Sequence, residues 1–140
     1  MPFREKSAWI MSFSLLLVGM FYFYAVAVIW SQSGQLAQPM LPLVFAYTVC
    51  LVVLSIVGHV AIAILAPKDA NARPDERERQ IFNRAGRYSS FVIASGIVIS
   101  LGLYLISHNG DLLFYTVFAS LMIGQVMEYA FQIILYRTSV

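Results

Sequence analysis

Four apolar runs, separated by short polar or charged stretches, set the plan of the chain. They occupy about residues 8–30, 40–66, 88–106 and 112–136, each near the ~20 residues that a helix needs to cross the hydrocarbon core of a bilayer. A spanning segment must satisfy its own backbone hydrogen bonds within lipid, and four spans are too few for a closed barrel, so all four are expected to be α-helices. The turn Ser107–Asp111 is short enough to force the last two into an antiparallel hairpin, and Ser31–Pro39 nearly does the same for the first two. The pattern predicts an all-α integral membrane protein: a four-helix up-down-up-down bundle, one transmembrane domain over residues 1–140, with a loop at 67–87.

Charge orients that plan. All nine Lys and Arg residues fall on one side of it: Arg4 and Lys6 before the first run, Lys68, Arg73, Arg77, Arg79, Arg84 and Arg87 before the third, and Arg137 after the fourth. By the positive-inside rule both termini and the loop 67–87 are expected in the cytoplasm. A composition that is 60% apolar and 11% charged leaves no residues for a separate soluble domain. The net charge of +2 hugs the span ends, so the expected partner is the anionic membrane surface and not nucleic acid. Arg4, Lys6 and Ala25-Val26-Ala27 have the look of a signal peptide, but a 23-residue core is too long for one, and the segment is read as a retained helix.

The loop changes character at Pro74. Proline suits a first helical position, and Asp75, Glu76 and Glu78 put negative charge at the positive end of a helix dipole. Helix three is therefore expected to start in the cytoplasm near Asp75, with Ile81, Ala85 and Tyr88 along one side. Running to Ile106 it would be roughly 48 Å long, well beyond the membrane core.

Glu128 is the only acid within an apolar run. A charged acid near the bilayer centre costs roughly 2.5–3.5 kcal/mol on insertion scales, so such residues usually face protein and serve function. Ser120, Gly124, Gln125, Glu128 and Gln132 recur at short helical spacings and form one polar stripe. His59, the only histidine within a run, is expected at the same depth when counted from the span centres, so the two could meet. The functional reading is a ligand or proton site of Glu128 and His59, supported by Gln125, Gln132 and Tyr129 or Tyr47. The opposing reading treats these groups as interhelical hydrogen bonds of ~0.6–2 kcal/mol.

Other chemistry has less to stand on. Cys50 is the single cysteine, nine residues from His59, so no disulfide or complete metal set forms within one chain, and no cofactor is predicted. Haem held by His59 from two protomers is disfavoured, and His108 is read as a loop residue. No nucleophile, carboxylate pair or metal set marks an enzyme. Gly96 and Ser100, with Ser120 and Gly124, have the small-xxx-small spacing of close helix packing, read as packing within the hairpin. Trp9, Trp30, Tyr88 and Tyr136 stand at span ends as interfacial anchors do. The run Phe21–Tyr24 has no functional account, two of its rings being expected to face lipid. The two hairpins share short motifs, Phe45-Ala46-Tyr47-Thr48-Val49 against Phe114-Tyr115-Thr116-Val117, which would suit a parallel repeat, though chance accounts for such matches more readily.

The segment Pro74-Asp75-Glu76-Arg77-Glu78-Arg79-Gln80-Ile81, with Ala85 and Arg87 leading into a span, resembles a motif of small uncharacterised bacterial multi-pass membrane proteins. The resemblance covers residues 74–106 and implies a bacterial inner-membrane protein without implying a reaction. Small multidrug transporters are also four-helix chains with one membrane acid, but theirs lies in the first helix, which has none here. The expectation is a bacterial inner-membrane homodimer whose Glu128 and His59 site binds a small ligand or protons, for transport or sensing. The alternative is an accessory or regulatory subunit that docks a cytoplasmic or membrane protein through Arg77, Arg79 and Arg84, its intramembrane polar groups being structural.

Overall fold

The computed structural model describes residues 3–65, 67 and 75–138. Among the described residues four helices, α1 (Phe3–Ser33), α2 (Leu41–Leu65), α3 (Glu76–Ser107) and α4 (Gly110–Thr138), are each long and apolar enough to cross a membrane. No strand occurs among the described residues. Pro74, Lys68 and Arg73 lie outside the described residues.

Local chemistry sets the ends. The Asp75 carboxylate caps α3 by accepting the Glu78 backbone N–H at 2.7 Å, satisfying a donor that the first turn leaves free. At the other end of α3, His108 takes a left-handed conformation at φ 51° and donates its backbone N–H to the Tyr104 carbonyl at 2.8 Å. The Asn109 side chain then caps α4 by accepting from Leu112 N–H at 3.0 Å. The connection is thus only His108 and Asn109, shorter than the turn expected at Ser107–Asp111. Gly34, at φ 69°, closes α1 in the same left-handed way, donating to the Trp30 carbonyl at 2.9 Å.

The helices pack as an open row in the order α2, α1, α4, α3. Burial matches that order: 39% of the apolar window of α1 is buried and 22% of that of α4, against 6% for α2 and 11% for α3. The centre of the row is a seam on α1 that alternates steps of three and four residues, Glu5, Ala8, Ser12, Leu15, Gly19, Tyr22 and Val26, all buried. Such spacing holds one helix face against a neighbour over many turns. It meets α4 through Glu5 with Arg137, Gly19 with Met122 and Tyr22 with Phe118.

The arrangement is more open than the bundle expected from the loops. The α2 and α3 helices have no substantial packing with each other. A parallel repeat about the membrane normal would pair α3 with α2 as α1 pairs with α4, so the packing lacks that symmetry. Apolar side chains gain little by leaving lipid for one another, and α2, the most apolar helix at mean hydropathy 2.6, has little to draw it inward.

The α3–α4 hairpin follows the small-residue reading. A Cβ on Gly96 would overlap the Ser120 side chain, one on Gly124 would overlap Ile93, and Ser89 Oγ donates to the Gly124 carbonyl at 2.8 Å. Ile81 and Ala85 are buried, and the buried stripe continues through Ser89, whereas Tyr88 is half exposed and packs its ring on Phe131 at 5.3 Å.

The two ends of the row differ in chemistry. At one end Tyr22 meets Tyr47 and Phe118 with ring centroids 5.7 and 4.9 Å away, joining α1, α2 and α4, with Phe23, Phe114 and Tyr115 around them. This accounts for the aromatic run: Tyr22 and Phe23 turn inward, Phe21 and Tyr24 outward. At the other end Glu5 pairs with Arg137 at 3.3 Å and Arg4 with Glu78 at 3.1 Å, tying α1 to both α4 and α3. Each guanidinium also stands over a ring, Arg4 over Phe82 and Arg137 over Trp9.

Candidate functional site

His59 is committed elsewhere. Its Nδ1 lies 2.7 Å from the Ser55 carbonyl oxygen, and its Nε2 lies 2.7 Å from Ser7 Oγ on α1. A carbonyl oxygen only accepts, so Nδ1 carries a proton and donates it to Ser55, while Nε2 and the Ser7 hydroxyl share the second hydrogen bond. The lone histidine on an apolar helix is thereby satisfied within the α1–α2 contact.

Glu128 does not join it. On α1, Ser7 marks the depth of His59, while the antiparallel register fixed by Glu5–Arg137 and Tyr22–Phe118 sets Glu128 at the depth of about Ser14. Seven residues of helix separate those depths by roughly 10 Å. Counting from span centres assumed that the helices align at mid-height, but α2 is slid toward the charged end relative to α4 by about five residues, or roughly 8 Å. The expected Glu128–His59 pair is therefore not formed.

Glu128 is partly buried and has no hydrogen bond or ion pair among the described residues. That sets it apart from the acids at the charged end. Glu5, Glu76 and Glu78 are each paired with an arginine, and Asp75 is the α3 cap. Gln132, one turn along the same face, is 3% exposed, and Tyr136, a further turn on, has a buried hydroxyl with no hydrogen-bond partner. Tyr136 lies within the electrostatic reach of Arg4, Glu5, Asp75 and Glu78. Tyr129 is the sequence neighbour of Glu128, about 100° around the helix and also partly buried.

The polar stripe expected on α4 divides. Ser120 and Gly124 serve the α3 contact, whereas Gln125 is exposed and lines a groove of about 260 Å³ between α2 and α4, with Tyr47, Leu51, Phe118 and Leu121. A larger groove of about 470 Å³ between α1 and α4 is walled by Leu15, Met20, Phe23, Met122 and Val126, and no polar side chain lines it. It has no group to orient a ligand. Cys50 is exposed on α2, and no group of three His, Cys, Asp or Glu side chains suited to a metal occurs among the described residues. The arrangement left at Glu128 can accept and release a proton or hold a small cationic group against a carboxylate.

Three participants escaped the sequence reading. Glu5 sits between Arg4 and Lys6 and carries no separate signal in the sequence, yet it opens the regular seam on α1. Ser7 gave no signal apart from its place two residues further on. Tyr136 read as an interfacial anchor, although its four-residue steps from Gln132 and Glu128 were visible.

No protein-family model, curated protein or solved structure matches the chain.

Proposed function

We propose that this is a bacterial inner-membrane protein with both termini in the cytoplasm, in which Glu128 is a proton-exchanging or small-cation site used in transport or sensing. The carrying observation is the contrast among acids: Glu128, the only one inside an apolar run, has no cationic partner among the described residues. A permanently ionised, unpaired carboxylate there would be costly, and taking up a proton or a cation removes that cost. Gln132 and Gln125 are its nearest polar companions along α4, with Tyr129 beside it, while His59 belongs to the scaffold. The test is labelling with dicyclohexylcarbodiimide, which reacts with protonated carboxyls in apolar surroundings. Modification at Glu128, suppressed at alkaline pH and absent from Glu128→Gln, is expected. A Glu128 inert at every pH would remove the reading.

The accessory-subunit reading retains one supporting observation. The first turns of α3 bury Ile81 and Ala85 against the other helices, while Arg77, Arg79 and Arg84 stand on exposed positions of the same turns. That segment suits an acidic partner, or a second copy of the chain in a homodimer. Reversing the charge of all three and losing a co-purifying protein would favour it over the site at Glu128.

A further inference from the structure

The groups below Glu128 form a file that leads to water. Glu128, Gln132 and Tyr136 stand at steps of four residues on one face of α4, about 6 Å apart along the axis, descending toward the charged end. Gln132 is almost fully buried, and neither it nor the Tyr136 hydroxyl has a hydrogen-bond partner among the described residues. A buried hydroxyl without a partner is costly, and water is the partner small enough to bridge successive turns from the Tyr136 hydroxyl to the Gln132 amide. Beside Tyr136 at this end stand the buried Glu5 and the Arg4–Glu78 pair, whose side chains are partly exposed and are the groups here that adjoin solvent. In the other direction Gln125 opens on the α2–α4 groove, and Tyr22, Tyr47, Phe114, Tyr115 and Phe118 close the layer with rings. Among the described residues the Tyr22 hydroxyl is also buried without a partner, but no charged pair stands beside it to connect it to solvent.

From this asymmetry we infer that Glu128 exchanges its proton with water at the charged end only, through a hydrated relay of Gln132 and the Tyr136 hydroxyl. The inference rests on the proposed role of Glu128 and adds its route and its sidedness. The step balances without a co-reactant. Hydronium near Glu78 gives a proton to the file and is left as water, the Tyr136 oxygen accepts that proton while releasing its own, water held at the Gln132 amide carries the released proton on, and the Glu128 carboxylate becomes the neutral acid. Release reverses each transfer. The charged and titratable groups along the route are Tyr129 on α4 itself, Arg4 and Glu5 on α1, and Asp75 and Glu78 on α3. His59, on α2, is held by Ser7 at another depth.

The experiment is a rapid pH jump on the full chain in lipid nanodiscs, followed through the infrared carbonyl band of protonated carboxyls, with the Glu128 component taken as the part lost in Glu128→Gln. Tyr136→Phe keeps the ring and removes the hydroxyl; Gln132→Leu keeps the bulk and removes the amide. Each is expected to slow Glu128 protonation and deprotonation alike by roughly 100-fold, the lower range for a positioned proton-transferring group. The equilibrium midpoint should stay in place, which a merely electrostatic role would not leave unmoved. Tyr22→Phe and Tyr47→Phe, in the ring cluster, should leave the rates unchanged. Wild-type rates in both Tyr136→Phe and Gln132→Leu, or slowing by Tyr22→Phe, would overturn the route while leaving Glu128 an exchanging site. Absence of any Glu128-dependent band would remove the site itself and the route with it.

Discussion

Glu5, near the start of the chain, pairs with Arg137, near its end, so the α1–α4 seam is locked at its charged end by an ion pair with unequal partners. The Glu5 side chain is 7% exposed and that of Arg137 59%. Removing the exposed arginine strands a buried carboxylate, whereas replacing Glu5 by its neutral isostere removes the charge that needed a partner. Arg137→Ala is therefore expected to cost more stability than Glu5→Gln, about 2 kcal/mol against about 1. Unfolding in mixed micelles as a double-mutant cycle measures this. Equal, additive losses would mean that the two side chains are not coupled.

The α3–α4 hairpin offers a test with opposite signs. Gly96 and Gly102 share helix α3, but a methyl group at Gly96 would overlap Ser120, while one at Gly102 meets nothing within 4 Å. Gly96→Ala should destabilise by about 1–3 kcal/mol through overpacking. Gly102→Ala should be neutral or stabilise by up to ~1 kcal/mol, through the helix propensity gained over glycine. Thermal unfolding of the two variants in one detergent decides the matter, and a Gly96→Ala protein as stable as the parent would refute the close approach.

The number of helices and most of their bounds were legible because a membrane span has to be apolar over a fixed length, and the sequence must declare that. The small-residue contact between α3 and α4 was legible too, since the short turn at Ser107–Asp111 forces those two helices to lie side by side. Depth was not: nothing in the composition of α2 fixes its slide along α1, which the side chains of Ser7, Met11 and Ser55 set by meeting His59 and one another. For the same reason the order of the row, with α4 beside α1, was hidden. It depends on the seam from Glu5 to Val26, whose members are acidic, small, aromatic and aliphatic in turn and so carry no simple hydrophobic signature.

His59 gives a spectroscopic prediction. With Nδ1 bonded to the Ser55 carbonyl, the neutral imidazole is fixed as the Nδ1–H tautomer, the less usual one in water, and Nε2 depends on the Ser7 hydroxyl. Nitrogen NMR of the side chain should report that tautomer in the folded protein. Ser7→Ala should perturb the Nε2 resonance and cost ~0.6–2 kcal/mol, the range for interhelical hydrogen bonds in membranes. An Nε2–H tautomer in the parent protein would contradict the contact.

The α1–α2 connection carries no Lys or Arg, while residues 67–87 carry six, a bias that sets which segments stay in the cytoplasm. Cysteine placed at Gln35 or at Ala72, in a background where Cys50 is replaced by alanine, tests this with a membrane-impermeant thiol reagent on intact bacterial cells. Labelling is expected at position 35 without permeabilisation and at position 72 only after it. The reverse pattern would put the charged end, with Arg4, Glu78 and Tyr136, outside the cytoplasm. The relay to Glu128 would then open to the opposite compartment, and a proton taken up there would come from outside the cell.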